Sequence, residues 1–442
     1  MNDISKAEII GFNADGESVC AASARISTTE GNSAEIYAKS RGNEKNSALV
    51  RKVLASGHRS VIEHAVFSIA FTNVSVYVEQ FFIESRLASF TVKSRRYVDF
   101  SKTGYYVPDD LDGEAEALYR EYMDAAFAAY GELLELEIPK EDARFALPYS
   151  FFSNFFCTMN ARELIGVINS IRSGRGSHIA ELRSIANQLA EQLVKLFPSV
   201  SEEFSDIAEE APAEEILFAE ETALLSEEKT GEVELVGAPK EPAKLLEIAL
   251  RATGERVPEL DELIREKRPR ALEQLNYSFV IKNVTLAGIT HIVRHRMQSV
   301  IVPPIETAPP RRRFVLPKTI EQSPKAREIY ERTISRCDEL LLKAMKNAAL
   351  RRHIHYFSLS GNLLDVMTTM NARELLLFMR LRTCTRAQWE IRAVAERMLR
   401  LLRADYPELF GLYGPSCYVL GSCPEGRMCC GRQAEMKEKF GK

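Results

Sequence analysis

The heptapeptide TMNAREL occurs twice in this chain, at residues 158–164 and again 211 positions later at 369–375, and further matches surround it. FTNVSVYV at 71 pairs with IKNVTLAG at 281, and ESRLAS at 84 with RHRMQS at 294, both at an offset of 210. AEIIGF at 7 resembles VELVGA at 233, and a long amphipathic stretch follows each NAREL. A fixed offset of this size means that one domain has been duplicated and fused, which agrees with a length suited to two ordinary cores. The expected organisation is a first copy at 1–200, an acidic Glu- and Ala-rich linker at 201–230, a second copy at 231–415 and a Cys-rich tail at 416–442.

Within each copy an apolar, β-rich run (AVFSIAFT; NYSFVIK) leads into Asn-Val-Ser or Asn-Val-Thr, residues that favour a helix start. Leu286, Ile289, Val293 and Met297 then recur at spacings of three and four, which predicts a helix with that face toward a core. Further helices are predicted over 113–136, 141–157 and 325–350, and His64 is placed on a strand edge. The fold class is α+β.

Composition narrows the function. A net charge of -4 with 45% hydrophobic and 27% charged residues disfavours a nucleic-acid-coating protein, and no unbroken apolar run is long enough to span a membrane. The N-terminus lacks a secretory profile, so the expectation is a cytoplasmic protein with no membrane and no nucleic-acid partner. Cys20, Cys157, Cys337 and Cys384 are scattered singly, which is unlike a disulfide framework.

Arg294, His295 and Arg296 stand side by side. On a helix three neighbours fan across roughly 200°, so they serve different partners; a solvated basic helix end is the plain alternative to a ligand site.

Taken together, GHRSVIEHAVFSIAF (57–71), SFTVKSRRYV (89–98), RHRMQS, NAREL and RLRTCTRAQWEIR (380–392) resemble the flavin-dependent thymidylate synthases. The family signature is Arg-His-Arg, two residues, Ser, one, Asn, two, Ser, one, Arg-Tyr. Neither copy carries all of it. Copy one has Glu84, Ser85 and Arg86 in place of Arg-His-Arg but keeps Ser89, Ser94, Arg96 and Tyr97. Copy two keeps Arg294, His295, Arg296 and Ser299 and then runs into VIVPPIET. Likewise copy one retains His58, Ser60 and His64 where copy two has Arg268, Arg270 and Gln274. Arg144 matches a family arginine whose counterpart is His355, and Arg382 matches the arginine that activates the pyrimidine. The Asn and Glu of the signature are absent twice, as Thr91 and Val92 and as Ile301 and Val302.

The resemblance implies antiparallel sheets packed with long helices and a methyltransferase that converts dUMP to dTMP. The implied cofactor is FAD, with NADPH and the folate methylenetetrahydrofolate as co-substrates. Family members are homotetramers with sites between subunits, so a fused pair implies a homodimer mimicking that tetramer, its composite sites drawn from complementary copies. Copy one would offer Ser94, Arg95, Arg96 and Arg144 to the nucleotide, and copy two His291, Arg294 and Arg382. Arg294, His295, Arg296, Asn371 and Arg373, with His58 and Ser60, are the implied flavin contacts. All these ligands are anionic, which suits guanidinium forks. Arg382 would act as a fixed cation toward an enolate-like pyrimidine, since arginine is no ready base.

Other readings stand beside these. Asn371 and Arg373 suit a plain helix start, Trp389 a core aromatic, and the Arg-rich PPRRRF loop simple solvation. Cys417, Cys423, Cys429 and Cys430 fall within fourteen residues and suit four thiolates on a metal, but their spacing departs from the usual pattern, and free thiols are the alternative. The principal rival function is a catalytically inactive paralogue that still binds flavin or nucleotide, with a structural or regulatory role.

Overall fold

The computed structural model describes residues 5–206, 226–227, 229–252 and 259–441. Most of the expected linker at 201–230 lies outside the described residues. In chain order the principal elements are β1 (Lys6–Phe12), β2 (Val66–Ser75), α1 (Val76–Ile83), β3 (Ala88–Val92), α2 (Gly113–Glu135), β4 (Phe152–Asn160), α3 (Ala161–Ser173), α4 (Ala180–Leu196), β5 (Glu232–Gly237), β6 (Asn276–Thr285), α5 (Leu286–Ile292), β7 (Gln298–Ile301), α6 (Pro324–Lys346), β8 (Leu363–Asn371), α7 (Ala372–Arg382) and α8 (Trp389–Asp405). Two antiparallel sheets result, with strand orders β1-β2-β4-β3 and β5-β6-β8-β7. The α+β expectation holds in both copies.

The repeat is structural down to single residues. Asn73 and Asn283 take φ of 49° and 55°, a left-handed conformation that Asn tolerates better than most residues, where β2 and β6 bulge. Two residues on, the side chains of Ser75 and Thr285 accept from the Val78 and Gly288 amides and start α1 and α5. Each junction is held by a buried carboxylate from the long helix of its copy. Glu181 accepts from the Ser75 amide at 2.8 Å, and Glu390 from the Thr285 amide at 2.8 Å. Across the sheets, Ser68 faces Thr158 and Ser278 faces Thr369 in hydroxyl pairs of 3.0 and 2.7 Å.

Three local expectations are corrected. The stretch 141–157 is not a helix: a turn at Lys140–Ala143 and a 3-10 turn at Arg144–Ala146 end at Pro148, and β4 begins at Phe152. Pro148 cannot continue a helix, and the side chains of Phe152–Asn160 alternate between the two faces of the sheet. Met297 is 65% exposed because α5 stops at Ile292, whereas Leu286, Ile289 and Val293 are buried as expected. Arg294, His295 and Arg296 therefore occupy a turn between α5 and β7, not a helix end. His64 closes the 3-10 segment Arg59–His64 ahead of β2 and does not sit on a strand edge.

The described residues form two compact units whose limits depart from those of the repeat. One gathers Met1–Thr222 and Thr319–Leu359, the other Ala223–Lys318 and Ser360–Lys442. In the first unit α6 lies against α2. The ion pairs Arg332–Glu132 (2.9 Å) and Arg336–Glu121 fix the two helices as antiparallel. Tyr122, Met123, Ala126, Tyr130 and Leu133 of α2 and Tyr330, Ile334, Cys337 and Leu341 of α6 are buried. Each large side chain so covered contributes about 2 kcal/mol, enough to outweigh the boundary of the repeat. Beyond α6, Tyr149 donates its amide to the Ser358 carbonyl at 2.7 Å, and the Tyr356 hydroxyl reaches Glu181 at 2.7 Å.

In the second unit β5 pairs with β6, and α7 follows β8 and ends on Arg382. No helix among the described residues is long and apolar enough to cross a membrane.

Candidate active site

In the second unit the turn after α5 exposes Arg294 and Arg296 and buries His295, which is 5% exposed. His295 Nδ1 lies 2.8 Å from Glu374, and Arg382 Nε–H donates to His295 Nε2 at 3.0 Å. A nitrogen that accepts from guanidinium carries no proton, so the ring is neutral with its hydrogen on Nδ1, donated to the carboxylate. Burial is the largest influence on His295 and pulls its pKa below the usual value; the Glu374 hydrogen bond opposes this and the Arg382 charge adds to it. Arg382 closes α7 and gives a second hydrogen bond, from Nη2 to the His291 carbonyl at 3.0 Å. The negative pole of α7 favours a cation there. Gln298 ties the same turn down, donating to the Ile292 carbonyl at 2.6 Å and accepting from Thr368 at 2.7 Å.

Asn371 caps α7 by accepting from the Glu374 amide at 2.8 Å, and its twin Asn160 caps α3 in the same way. Arg373 pairs with Glu273 just as Arg162 pairs with Glu63, so both copies share this cap and ion pair.

Among the copy-one residues, Arg95 is buried and donates to the fully buried Glu79 at 2.6 Å, with Ser153 on the other carboxylate oxygen. Arg96 is half-buried, pairs with Glu141 and lies over the Tyr97 ring. The Ser94 hydroxyl accepts from the Arg96 amide at 3.3 Å. Arg144 is buried, with Nε on the Glu141 carbonyl at 3.0 Å. Arg96 and Arg144 thus meet around Glu141. His58 and Ser60 are exposed around the start of the Arg59–His64 segment.

Glu84, in the place of Arg294, receives Arg175 at 2.7 Å and Gln80 at 3.1 Å, and the Arg175 guanidinium covers Phe81. Copy one has therefore replaced a cationic position by a carboxylate with its own counter-ion. Sequence reasoning overlooked Glu374 and Glu79. Glu374 stands inside the repeated NAREL and was legible there; Glu79 has Ile289 as its counterpart, so the repeat carries no signal for it.

A cavity of about 620 Å³ opens in the first unit between Lys102, Tyr106, Asp110, Glu181, Arg183 and Arg352. None of the residues proposed from sequence lines it.

The family described as thymidylate synthase complementing protein matches the chain at residues 8–199 and 219–408. The chain is similar to a flavin-dependent thymidylate synthase of Geobacter sulfurreducens, 33% identical over 191 residues, covering 41% of this chain and 79% of the relative. A flavin-dependent thymidylate synthase of Clostridium tetani is 33% identical over 189 residues, covering 38% of this chain and 74% of the relative. Among solved structures, the UMP/dUMP methylase PolB from Streptomyces cacaoi, bound with 5-Br dUMP, is similar at 23% identity and a TM-score of 0.39, over 45% of this chain and 94% of that one. The chain belongs to the thymidylate synthase complementing protein family and carries its domain twice.

Proposed function

We propose that the protein is a cytoplasmic flavin-dependent thymidylate synthase, a methyltransferase that reductively methylates dUMP to dTMP. Methylenetetrahydrofolate would give the carbon and NADPH would recharge the FAD, and the working form would be a homodimer with composite sites. The chain of hydrogen bonds from Glu374 through His295 to Arg382 carries this reading. A buried neutral histidine with both nitrogens committed fixes a guanidinium in one orientation, which a scaffold alone does not need.

When bound, the flavin would supply the hydride. The residues suit such a group: Arg294 and Arg296 emerge from one turn on either side of a buried anchor, and two guanidinium groups match a pyrophosphate. Arg382 would stabilise negative charge spread over the uracil carbonyls, His295 and Glu374 would hold it there, and His291 would border the base. From copy one, Ser94, Arg96 and Arg144 would hold the nucleotide phosphate, while Arg95, committed to Glu79, would brace their loop. His58 and Ser60 would reach the flavin from the same copy. The complementary losses of Arg-His-Arg from copy one and Ser-x-Arg-Tyr from copy two support this division, because undirected decay would strike each copy without regard to what the other retains. The Asn and Glu absent from both copies weigh instead for the inactive paralogue.

Tritium release from C5-labelled dUMP, with methylenetetrahydrofolate, NADPH and FAD, tests the proposal. Release by the wild-type protein and its loss in Arg382→Ala with flavin still bound would sustain it. Protein that takes up no flavin and releases no tritium would end it. The internal ion pairs of Arg95 and Arg96 favour a second reading, an inactive paralogue that keeps its fold through them and still binds flavin or nucleotide. Flavin uptake without tritium release would decide for it.

A further inference from the structure

The 620 Å³ cavity of the first unit has no part in the synthase reading, yet its size lies within the range of about 300–1,000 Å³ usual for small-molecule sites. One wall is aromatic, from Tyr105, Tyr106 and Phe152. Burial pushes the pKa of the Tyr106 phenol up, so its hydroxyl stays protonated, and it makes no hydrogen bond among the described residues. The rim carries four cations, each from a different segment: Lys102 after β3, Arg120 of α2, Arg183 of α4 and Arg352 after α6. The first turn of α4 lines the same space without a side-chain cap, which adds the positive pole of a 17-residue helix. Carboxylates are present as well. Asp109 and Asp110 share the rim, with Arg352 and His353 at 3.5 and 2.8 Å from Asp110. Glu181, deeper in the wall, accepts from Ser5 and Tyr356 at 2.6 and 2.7 Å, and burial raises its pKa.

The second copy shows which of these residues the fold itself needs. Arg183 donates to the Ser177 carbonyl at 2.8 Å, and its twin Arg392 donates to the Thr385 carbonyl at 2.9 Å, so that arginine belongs to the common framework. Tyr106 does not. Tyr105 bridges to Phe151 and Phe314 bridges to Asn362 at matching places, which sets Val315 in the position of Tyr106. Val315 is buried there, so the backbone is built equally well without a phenol. Pairing α2 with α6 likewise puts Glu331 in the place of Arg120. Arg352 reaches this rim because Thr319–Leu359 of the second copy belongs to the first unit. The aromatic hydroxyl and two of the cations are therefore additions of this unit and not requirements of the repeated domain.

We propose that this cavity binds a nucleoside triphosphate without any contribution from Arg382. The base lies on Tyr105 and Tyr106, and the Tyr106 hydroxyl donates to a base acceptor. The phosphates take Arg120, Arg352, Lys102 and the start of α4. Asp109 accepts from a sugar hydroxyl. The mixed rim is what selects this class of ligand: a bare anion would meet two carboxylates with nothing to offer them, whereas a nucleotide brings anions, hydroxyl donors and a flat ring together.

The test is equilibrium dialysis of the full chain, in saturating dUMP, against labelled ATP and labelled dTTP, which carry a purine and a pyrimidine base. At least one of them should bind saturably at about one per chain. Tyr106→Val, which installs the residue the second copy carries at that place, and Arg120→Gln, at a partly exposed position, should each weaken binding about tenfold or more. Arg382→Ala should bind as the wild-type chain does. Inorganic tripolyphosphate should compete only weakly, a comparison that needs no variant to fold. Absence of saturable binding by both nucleotides, full binding in both cavity variants, tripolyphosphate as tight as the nucleotide, or loss of binding in Arg382→Ala would each overturn the proposal. Dialysis needs no turnover, so failure here leaves the synthase reading standing and the reverse also holds.

Discussion

Arg382 donates its Nε–H to His295 Nε2 at 3.0 Å, and the geometry holds only while that nitrogen is unprotonated. Arg382→Ala should lower tritium release by about 10²- to 10³-fold with little change in flavin content, the usual consequence of removing a charge aimed at a transition state. Glu374→Gln removes the carboxylate but keeps an acceptor for Nδ1–H, so a smaller loss of about tenfold is expected, in kcat more than in KM. Equal losses in the two variants would show that Glu374 does more than orient the ring.

Acid should weaken both activity and fold. Burial lowers the pKa of His295 and also that of His353, which sits 2.8 Å from Asp110. The unfolded chain takes up these protons near pH 6.5, while the folded chain resists them until lower pH. Their stabilising effect is therefore complete above about pH 6.5 and is lost as pH falls through the lowered values. Urea midpoints measured from pH 7.5 down to 5 should decline, and His295→Gln should flatten part of that decline. An unchanged slope would mean that His295 takes its proton as readily folded as unfolded.

The two helix caps make a matched stability test. Asn160→Ala and Asn371→Ala should each cost about 1 kcal/mol, since each removes the side-chain acceptor for one amide at a helix start. The Glu79→Ala variant should cost more, about 3–5 kcal/mol, because it strands the buried Arg95. Denaturant titration separates these values, and an Asn371→Ala protein that loses flavin at unchanged stability would assign that residue to the flavin contacts.

What the sequence carried most clearly was whatever the two copies share. Asn73 and Asn283, the Ser75 and Thr285 caps and the TMNAREL segment recur because backbone conformation and hydrogen bonding at those points are local and identical. The attachment of Thr319–Leu359 to the first unit was not legible. Periodicity marks the apolar face of Pro324–Lys346 but not which face will cover it, and Gly113–Glu135 offers one with matching aromatics and opposite charges. His295 was hidden for a similar reason. Its two arginine neighbours look equivalent to it in sequence, and only Glu374, 79 residues further on, decides which of the three turns inward. The segment 141–157 looks helical in sequence because its apolar residues keep helical spacing, and Pro148 is the available signal against that reading.

Whether the two half-sites meet within a chain or between chains can be read from mixed dimers. Arg144→Ala removes a nucleotide residue of copy one, and Arg382→Ala the cation of copy two, so each homodimer should be nearly inactive. If copy one of each chain completes copy two of its partner, a heterodimer of the two variants contains one doubly damaged site and one intact site. Unfolding, mixing and refolding equal amounts makes half of the dimers heterodimeric, so activity should recover to about one quarter of wild type. If each site is completed within its own chain, every site in the mixture carries one lesion and no activity returns. Recovery near one quarter, absent when either variant is refolded alone, is the outcome expected of a homodimer that reproduces the four-domain assembly.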